Sequence, residues 1–178
     1  MNEFADRLPG RLVSGAQSLD REFEERLSDC STLAFRVAFS VLRHREDAED
    51  VAQDALTKAY RSFRQLRDRE RFRAWLVRMT WRMAIDRRRG ELRRMARDQT
   101  VVVGTTGATV EHDALARERS ARLWKAIDQL PEKLRMVIVL ASIEEHGLSE
   151  VAVLVGAPEG TVKSRLFEAR KRLQELLR

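Results

Sequence analysis

Apolar residues recur every three or four positions along most of the chain, which is the period of an amphipathic α-helix. One such stripe runs from Leu19 to Leu42, a second from Val51 to Phe63 and a third from Phe72 to Met83. Of all residues 43% are hydrophobic, only 6% are aromatic and 35% are charged, which suits helices with charged outer faces better than a sheet. The pattern therefore predicts a nearly all-α protein.

The helical period breaks between residues 99 and 110, where Gly104 and Gly107 stand among four threonines. This composition predicts a flexible linker or an isolated extended segment. The period returns from Leu115 onwards, and Pro131 suits the first residue of a further helix. We therefore predict two small helical domains, over residues 1–97 and 113–178, joined by a linker over residues 98–112.

The end of the chain predicts two helices joined by a tight turn. A short helix from about Ser149 to Val155 is followed by the turn Gly156–Gly160 and a long helix from Thr161 to Leu177. This arrangement is typical of a helix-turn-helix. The apolar stripe of the long helix leaves its other side for DNA or solvent, with the following residues on it: Lys163, Ser164, Phe167, Arg170, Lys171 and Gln174.

Charge alternates in blocks along the chain. Residues 61–97 hold fourteen arginines against four acidic residues, and residues 161–178 hold six basic against two acidic residues. The two remaining blocks are net acidic. Two basic blocks indicate two contacts with a polyanion, and the acidic blocks suit a protein partner better, although solvated helix faces would give the same alternation.

The composition argues against export, a membrane span and enzymatic chemistry. Cys30 is the single cysteine, no apolar run follows a basic start, and no segment reaches the roughly 20 apolar residues that a span needs. His44, His112 and His146 lie far apart, and no glycine-rich phosphate loop follows a strand. We expect a cytoplasmic protein that is not an enzyme and has no cofactor or metal site.

Several motifs, taken in order, resemble the extracytoplasmic-function (ECF) group of bacterial RNA polymerase sigma factors. DAEDVAQ at 47–53 is similar to the group's DAEDxxQ helix, and FRAWL at 72–76 followed by AIDRR at 84–88 is similar to its promoter-melting segment. LPE at 130–132 and GAPEGTVKSRL at 156–166 are similar to its C-terminal DNA-reading domain. The order and spacing of these motifs make the resemblance specific.

The resemblance implies a function and a set of partners. It implies a factor that binds core RNA polymerase, through a coiled coil of the largest subunit and through the flap region, and that directs transcription initiation from minus-10 and minus-35 promoter elements. An inhibitory anti-sigma factor is a further implied partner. A conventional repressor or activator with the same C-terminal helix-turn-helix is the alternative. It would leave without a role the row of arginines in the first domain, which includes Arg78, Arg82 and Arg89.

The resemblance also assigns roles to residues. Core polymerase binding falls to Asp47, Asp50, Gln53 and Asp54. Contact with the opened minus-10 element, together with the segment 65–71, falls to Arg71, Arg78, Trp81, Arg82 and Arg89, although Trp81 could equally pack against a neighbouring helix. Minus-35 reading falls to Thr161, Lys163, Ser164, Phe167, Glu168 and Lys171.

Two positions depart from the pattern of the group. Arg82 stands where an asparagine is frequent, and arginine can read guanine or clamp a phosphate. Glu168 stands at a base-facing position where arginine is frequent, and a carboxylate can accept from cytosine N4. Each residue either alters base preference at its contact or is a surface charge that leaves base preference unchanged.

Overall fold

The structure is a computed structural model that describes residues 10–97 and 111–178. All regular elements in these ranges are helices, which confirms the predicted all-α class. The helices are α1 (Gly10–Leu42), α2 (Arg45–Phe63), α3 (Phe72–Arg97), α4 (Glu111–Gln129), α5 (Glu132–Ser142), α6 (Leu148–Val155) and α7 (Glu159–Leu177), with a short 3-10 turn at Arg69–Arg71 before α3.

Contacts divide the chain into two compact units, Met1–Arg89 and Gly90–Arg178. The predicted linker falls almost entirely on residues 98–110, which lie outside the described residues, so the linker and the predicted domain boundaries stay predictions. Among the described helices none is long and apolar enough to cross a membrane.

Small residues let α1 and α2 pack closely in the first unit. Ala34 and Ala38 of α1 are fully buried, as are Ala48 and Ala55 of α2. The chain reverses between the two helices at Arg43, whose φ of 58° lies in the left-handed region. His44 then caps α2, because its Nδ1 accepts a hydrogen bond from the backbone N–H of Asp47. The helix therefore begins at Arg45, two residues before Asp47, where the sequence pattern predicts its start.

Three phenylalanines fix the start of α3 against the other two helices. The ring centroids of Phe23, Phe63 and Phe72 lie 5.3 to 5.8 Å apart in edge-to-face pairs. Such pairs add about 0.5–1.5 kcal/mol each beyond the burial of their area. The cluster joins α1, the end of α2 and the first residue of α3, so it determines where the intervening segment 64–71 is anchored.

In the second unit α7 packs on α5 and α6 through most of the predicted stripe, since Val162, Leu166, Ala169 and Leu173 are buried. Leu176, which the spacing also places in the stripe, is 40% exposed because it lies near the end of the helix. The guanidinium of Arg135 donates to the carbonyls of Asp128 and Leu130, which caps the end of α4. Pro131 is the N-cap residue of α5 rather than its first helical residue.

The turn between α6 and α7 depends on Gly156. Its φ of 69° and ψ of 42° lie in the left-handed region, where a glycine avoids the strain of a Cβ. The N–H of Gly156 donates to the carbonyl of Val153, and that of Ala157 donates to Ala152, a Schellman end to α6. Pro158 then precedes α7, which begins at Glu159, two residues earlier than predicted.

Candidate nucleic-acid and protein interfaces

The acidic residues predicted for polymerase docking lie along one side of α2 but are not equivalent. Asp50, Gln53 and Asp54 are exposed, whereas the side chain of Asp47 is 25% exposed. Spacings of three and four residues keep these side chains on adjoining positions of the helix surface. The structure therefore presents a polar face of three exposed side chains, with Asp47 at its inner edge.

The carboxylate of Asp47 contacts other side chains of the N-terminal unit. The Nη2 atom of Arg87 in α3 donates a hydrogen bond to Oδ1 of Asp47 and lies 3.5 Å from Oδ2 of Asp50. The other carboxylate oxygen of Asp47 lies 3.0 Å from Nδ1 of His44. Asp47 thus links the start of α2 to α3, a structural role that the sequence reasoning missed because its partner is 40 residues away.

A groove between α1 and α2 adjoins the polar face. It has a volume of about 360 Å³ and is lined by both apolar and polar side chains. Phe39, which is exposed, stacks on Phe35 at one side of it, with ring centroids 5.8 Å apart. Its lining residues are Ser31, Thr32, Phe35, Arg45, Glu49, Ala52, Gln53 and Leu56. An exposed polar face beside an apolar groove suits a protein partner.

The arginine row predicted for the opened DNA strand begins at Arg71, in the 3-10 turn, and continues along one stripe of α3. Arg71, Arg82 and Arg89 are exposed, whereas Arg78 is half-buried. Burial lowers the pKa of Arg78, and the charge of Arg71 lowers it further. Arg71 also pairs with Asp68 at 2.9 Å, and Arg89 lies 4.0 Å from Asp86. The stripe is a cationic surface that extends from Arg71 to Arg89 and suits contact with phosphates.

Trp81 differs from the expectation for a DNA contact. Its side chain is only 2% exposed, so the indole packs in the core of the unit. Because neighbouring residues cover the indole ring of Trp81, the ring cannot stack on a base. The core role that the pattern left open therefore describes Trp81, and the four arginines of the row make up the surface without it.

The exposed side of α7 carries four of the six residues predicted to read the upstream element. Lys163, Ser164, Phe167 and Lys171 are exposed, and Phe167 is 73% exposed. Thr161 is half-buried. An isolated aromatic side chain this exposed has no packing role within the described residues. It is available to meet an apolar group such as a thymine methyl.

The side chain of Glu159 makes two contacts at the beginning of α7. Its carboxylate accepts a hydrogen bond from the hydroxyl of Ser149 at 2.8 Å and pairs with Lys163 at 2.9 Å. The bond from Lys163, followed by that from Ser149, lowers the pKa of Glu159. Ser164 donates its hydroxyl proton to the carbonyl of Gly160. Both predicted donors therefore have intramolecular partners that DNA would have to replace or share.

Glu168 is half-buried and pairs with Arg172 at 2.7 Å along its own helix. It also lines a shallow groove with Gln129 and Lys171. An ion pair of this kind reduces the tendency of the carboxylate to repel phosphates. Sequence reasoning also missed Val153 of α6, an exposed apolar side chain on the helix before the turn.

Comparisons with known proteins match both units. A family model described as "Sigma-70 region 2" matches residues 28–94, and one described as "Sigma-70, region 4" matches residues 120–173. These two regions define a sigma factor, the class of protein that directs RNA polymerase to promoters.

Two similar proteins show to which group of sigma factors the chain belongs. The chain is 32% identical over 155 residues to the "ECF RNA polymerase sigma factor SigW" of Bacillus subtilis, covering 81% of this chain and 82% of that protein. It is 30% identical over 138 residues to the "RNA polymerase sigma factor SigV" of the same species, covering 77% and 80%. The chain therefore belongs to the ECF group of RNA polymerase sigma factors.

Solved structures support the fold. The sigma factor RpoE of Bartonella quintana, solved in complex with the anti-sigma factor NepR, superposes with a TM-score of 0.61 at 24% identity. The match covers 88% of this chain and 97% of that one. At this identity the likeness concerns the fold alone.

Proposed function

We propose that this chain binds core RNA polymerase through α2 and directs it to promoters that it reads through α3 and α7. The observation that carries the proposal is the pairing of each matched sigma region with an exposed basic face: the arginine stripe on α3 and the side of α7 around Lys163, Phe167 and Lys171. The factor needs no chemistry of its own, because the polymerase supplies the catalysis. Action with RNA polymerase implies a cytoplasmic location.

The polymerase contact falls on the exposed face of α2. Asp50, Gln53 and Asp54 would meet a coiled coil of the largest subunit, and the adjoining groove would take an apolar side chain from it. The C-terminal unit would contact the flap region. Asp47 contributes indirectly, because its bond to Arg87 holds α2 against α3.

The minus-10 contact falls on Arg71, Arg78, Arg82 and Arg89. The exposed members can bind phosphates of an opened strand, and Arg82 can also donate two parallel hydrogen bonds to a guanine. Partial burial of Arg78 strengthens its interaction with a phosphate, because solvent screens it less.

The minus-35 contact falls on α7. Lys163 and Ser164 can donate to base edges and Phe167 can contact a thymine methyl, whereas Lys171 is placed further along the helix for a phosphate. Thr161 is half-buried at the start of the helix, so it contributes less to base recognition than the exposed residues do. Arg172 pairs with Oε1 of Glu168, so a cytosine would have to share this carboxylate with Arg172. Glu168→Arg should therefore move base preference only if Glu168 contacts a base.

An anti-sigma factor is a further proposed partner. The fold resembles that of a sigma factor solved with one. The polar face and groove of α2 offer such an inhibitor the surface that the polymerase would use. An inhibitor bound there would exclude core polymerase.

The test is run-off transcription with purified core polymerase and a library of promoter fragments. The chain should copurify with core polymerase and support initiation, and Asp50→Arg should remove both properties while the helix content stays unchanged. Glu25→Arg, a charge reversal on the outer side of α1, is the matched control and should leave them intact. A chain that binds DNA but neither binds core polymerase nor starts transcripts would be a repressor or activator.

A further inference from the structure

The segment 64–71 between α2 and α3 has little core of its own. Leu66 is the apolar side chain of the segment that packs against the aromatic cluster, while Gln65, Arg67 and Asp68 are exposed. Asp68 shapes its second half, since one carboxylate oxygen accepts from the N–H of Glu70 at 3.1 Å and the other pairs with Arg71. A segment this polar loses substantial chain entropy when it adopts one conformation.

Four side chains tie this segment to α1, and we call them the α1 clamp: Glu22, Arg26, Arg69 and Glu70. Arg69 donates from Nη1 to Oε2 of Glu22 at 2.6 Å. Arg26 donates from Nη2 to Glu70 at 3.1 Å and to Glu22 at 3.4 Å. The clamp is therefore a row of four side chains of alternating charge, and it links α1 to the segment 64–71. The order in the row is Arg69, Glu22, Arg26 and Glu70.

The clamp is more than a set of solvated pairs. The side chains of Glu22 and Arg26 are 30% exposed or less and that of Arg69 is 38% exposed, so salt screens these three charges less than it screens Glu70, which is 87% exposed. The guanidinium of Arg69 also lies over the ring of Phe63, 5.4 Å from its centroid, which restricts the orientation of that side chain. The hydrogen bond to Glu70 raises the pKa of Arg26.

We infer that Glu22 and Arg26 are positioning residues for promoter opening: they hold the segment 64–71 in the conformation that receives the opened minus-10 strand. The inference rests on the proposed function. Arg69 is occupied by Glu22 and Phe63, so the exposed Gln65 and Arg67, together with Arg71, are the side chains of this segment that can meet the strand. Holding the segment in advance lowers the entropy lost on binding.

The direct test compares Glu22→Gln with Glu25→Gln in the full chain, assembled with core polymerase. Glu25 is the matched control, because it lies on the same helix and, among the described side chains, pairs with the neighbouring Arg21, with both side chains largely exposed. The measurements are core affinity, the fraction of open complex by permanganate footprinting at equal promoter occupancy, and the selected minus-10 sequence. Wild-type transcription in the same series tests the proposed function separately.

We expect Glu22→Gln to lower the open-complex fraction by about two- to fivefold, the range for one ion pair, and to relax minus-10 preference. Core affinity should stay within about twofold of wild type, as the clamp does not touch the α2 face. Glu25→Gln should match wild type in all three measurements.

Two outcomes would overturn the inference. Opening and base preference that match Glu25→Gln would show that the clamp does not act on the strand. Core affinity that falls by the same factor as opening would show that Glu22 only supports the fold. If Glu22→Gln loses helix content, Arg26→Gln takes its place, because it removes the bridge to Glu70 and leaves the bond between Glu22 and Arg69.

A double-mutant cycle adds a readout that separates positioning from direct contact. If Glu22 acts through Arg69, then Glu22→Gln combined with Arg69→Gln should open promoters no worse than the more impaired single variant. Additive losses, or faster opening when Glu22→Gln releases Arg69, would mean that Arg69 binds DNA itself.

Discussion

Replacing Asp47 by asparagine should destabilise the N-terminal unit without removing a polymerase contact. The substitution keeps the shape of the side chain and one acceptor oxygen, but removes the charge that faces Arg87 and His44. The change therefore separates the structural role found here from the docking role that the motif implies.

The size of the effect follows from burial and from position in the helix. Asp47 is 25% exposed and Arg87 is 33% exposed, so their pair lies between exposed pairs, worth about 0.2–1 kcal/mol, and buried pairs, whose disruption costs about 3–5 kcal/mol. The carboxylate also lies in the first turn of α2, where its charge complements the helix dipole by about 0.3–1 kcal/mol. We expect a total loss of about 1–2 kcal/mol in the free energy of unfolding.

The assay is urea denaturation in a Trp124→Phe background, in which the fluorescence of Trp75 and Trp81 reports the N-terminal unit alone. With an m-value of about 1.5 kcal/mol/M, the midpoint should fall by about 1 M while m stays constant. A cycle with Arg87→Gln should give a coupling energy of about 1 kcal/mol.

Asp54→Asn is the control, because Asp54 is exposed on the same helix. It should change stability by less than about 0.5 kcal/mol. Equal midpoints for Asp47→Asn and Asp54→Asn, or zero coupling with Arg87→Gln, would refute the structural role. So would a loss of core affinity in Asp47→Asn as large as that in Asp50→Arg, measured under conditions where both proteins are folded.

Three further predictions concern the DNA-facing surfaces. Arg82→Ala should impair open-complex formation more than closed-complex binding, and permanganate footprints equal to wild type at equal occupancy would reduce Arg82 to a surface charge. Phe167→Ala should cost about 1–3 kcal/mol at one minus-35 base pair and relax preference there, and an unchanged consensus from a selected promoter library would remove Phe167 from base readout. Lys163→Met should raise the pKa of Glu159, measured by carboxyl NMR titration, because it removes the main cause of the lowered value. The stability that the Glu159 carboxylate adds is present above its ordinary pKa and is lost as pH falls through the lowered one, and an unchanged pKa in Lys163→Met would contradict this cause.

Local pattern predicted the helices well, because periodicity and turn residues act over short distances. The turn at Gly156 and Pro158 could be located from the sequence, since a left-handed glycine and a proline each restrict the backbone directly. The buried stripe of α7 followed from the spacing of Val162, Leu166, Ala169 and Leu173 in the same way.

Contacts between distant residues could not be predicted in this way. Periodicity places Trp81 beside Arg82 but does not reveal which neighbouring helix covers the indole, so a core residue was grouped with the DNA surface. The bond between Asp47 and Arg87 and the one between Glu22 and Arg69 join residues 40 and 47 positions apart. Only the packed helices bring such pairs together, and these pairs decide which charges remain available to partners.

Site-specific photocrosslinking in a reconstituted initiation complex tests most directly which of the three surfaces contacts polymerase and which two contact promoter DNA. Benzoylphenylalanine would replace Gln53, Arg89 or Phe167 in separate preparations, because each of these side chains is exposed. We predict crosslinks from position 53 to the largest polymerase subunit, from position 89 to minus-10 DNA and from position 167 to minus-35 DNA. Crosslinks from position 53 to DNA, or from position 167 to protein alone, would contradict the account.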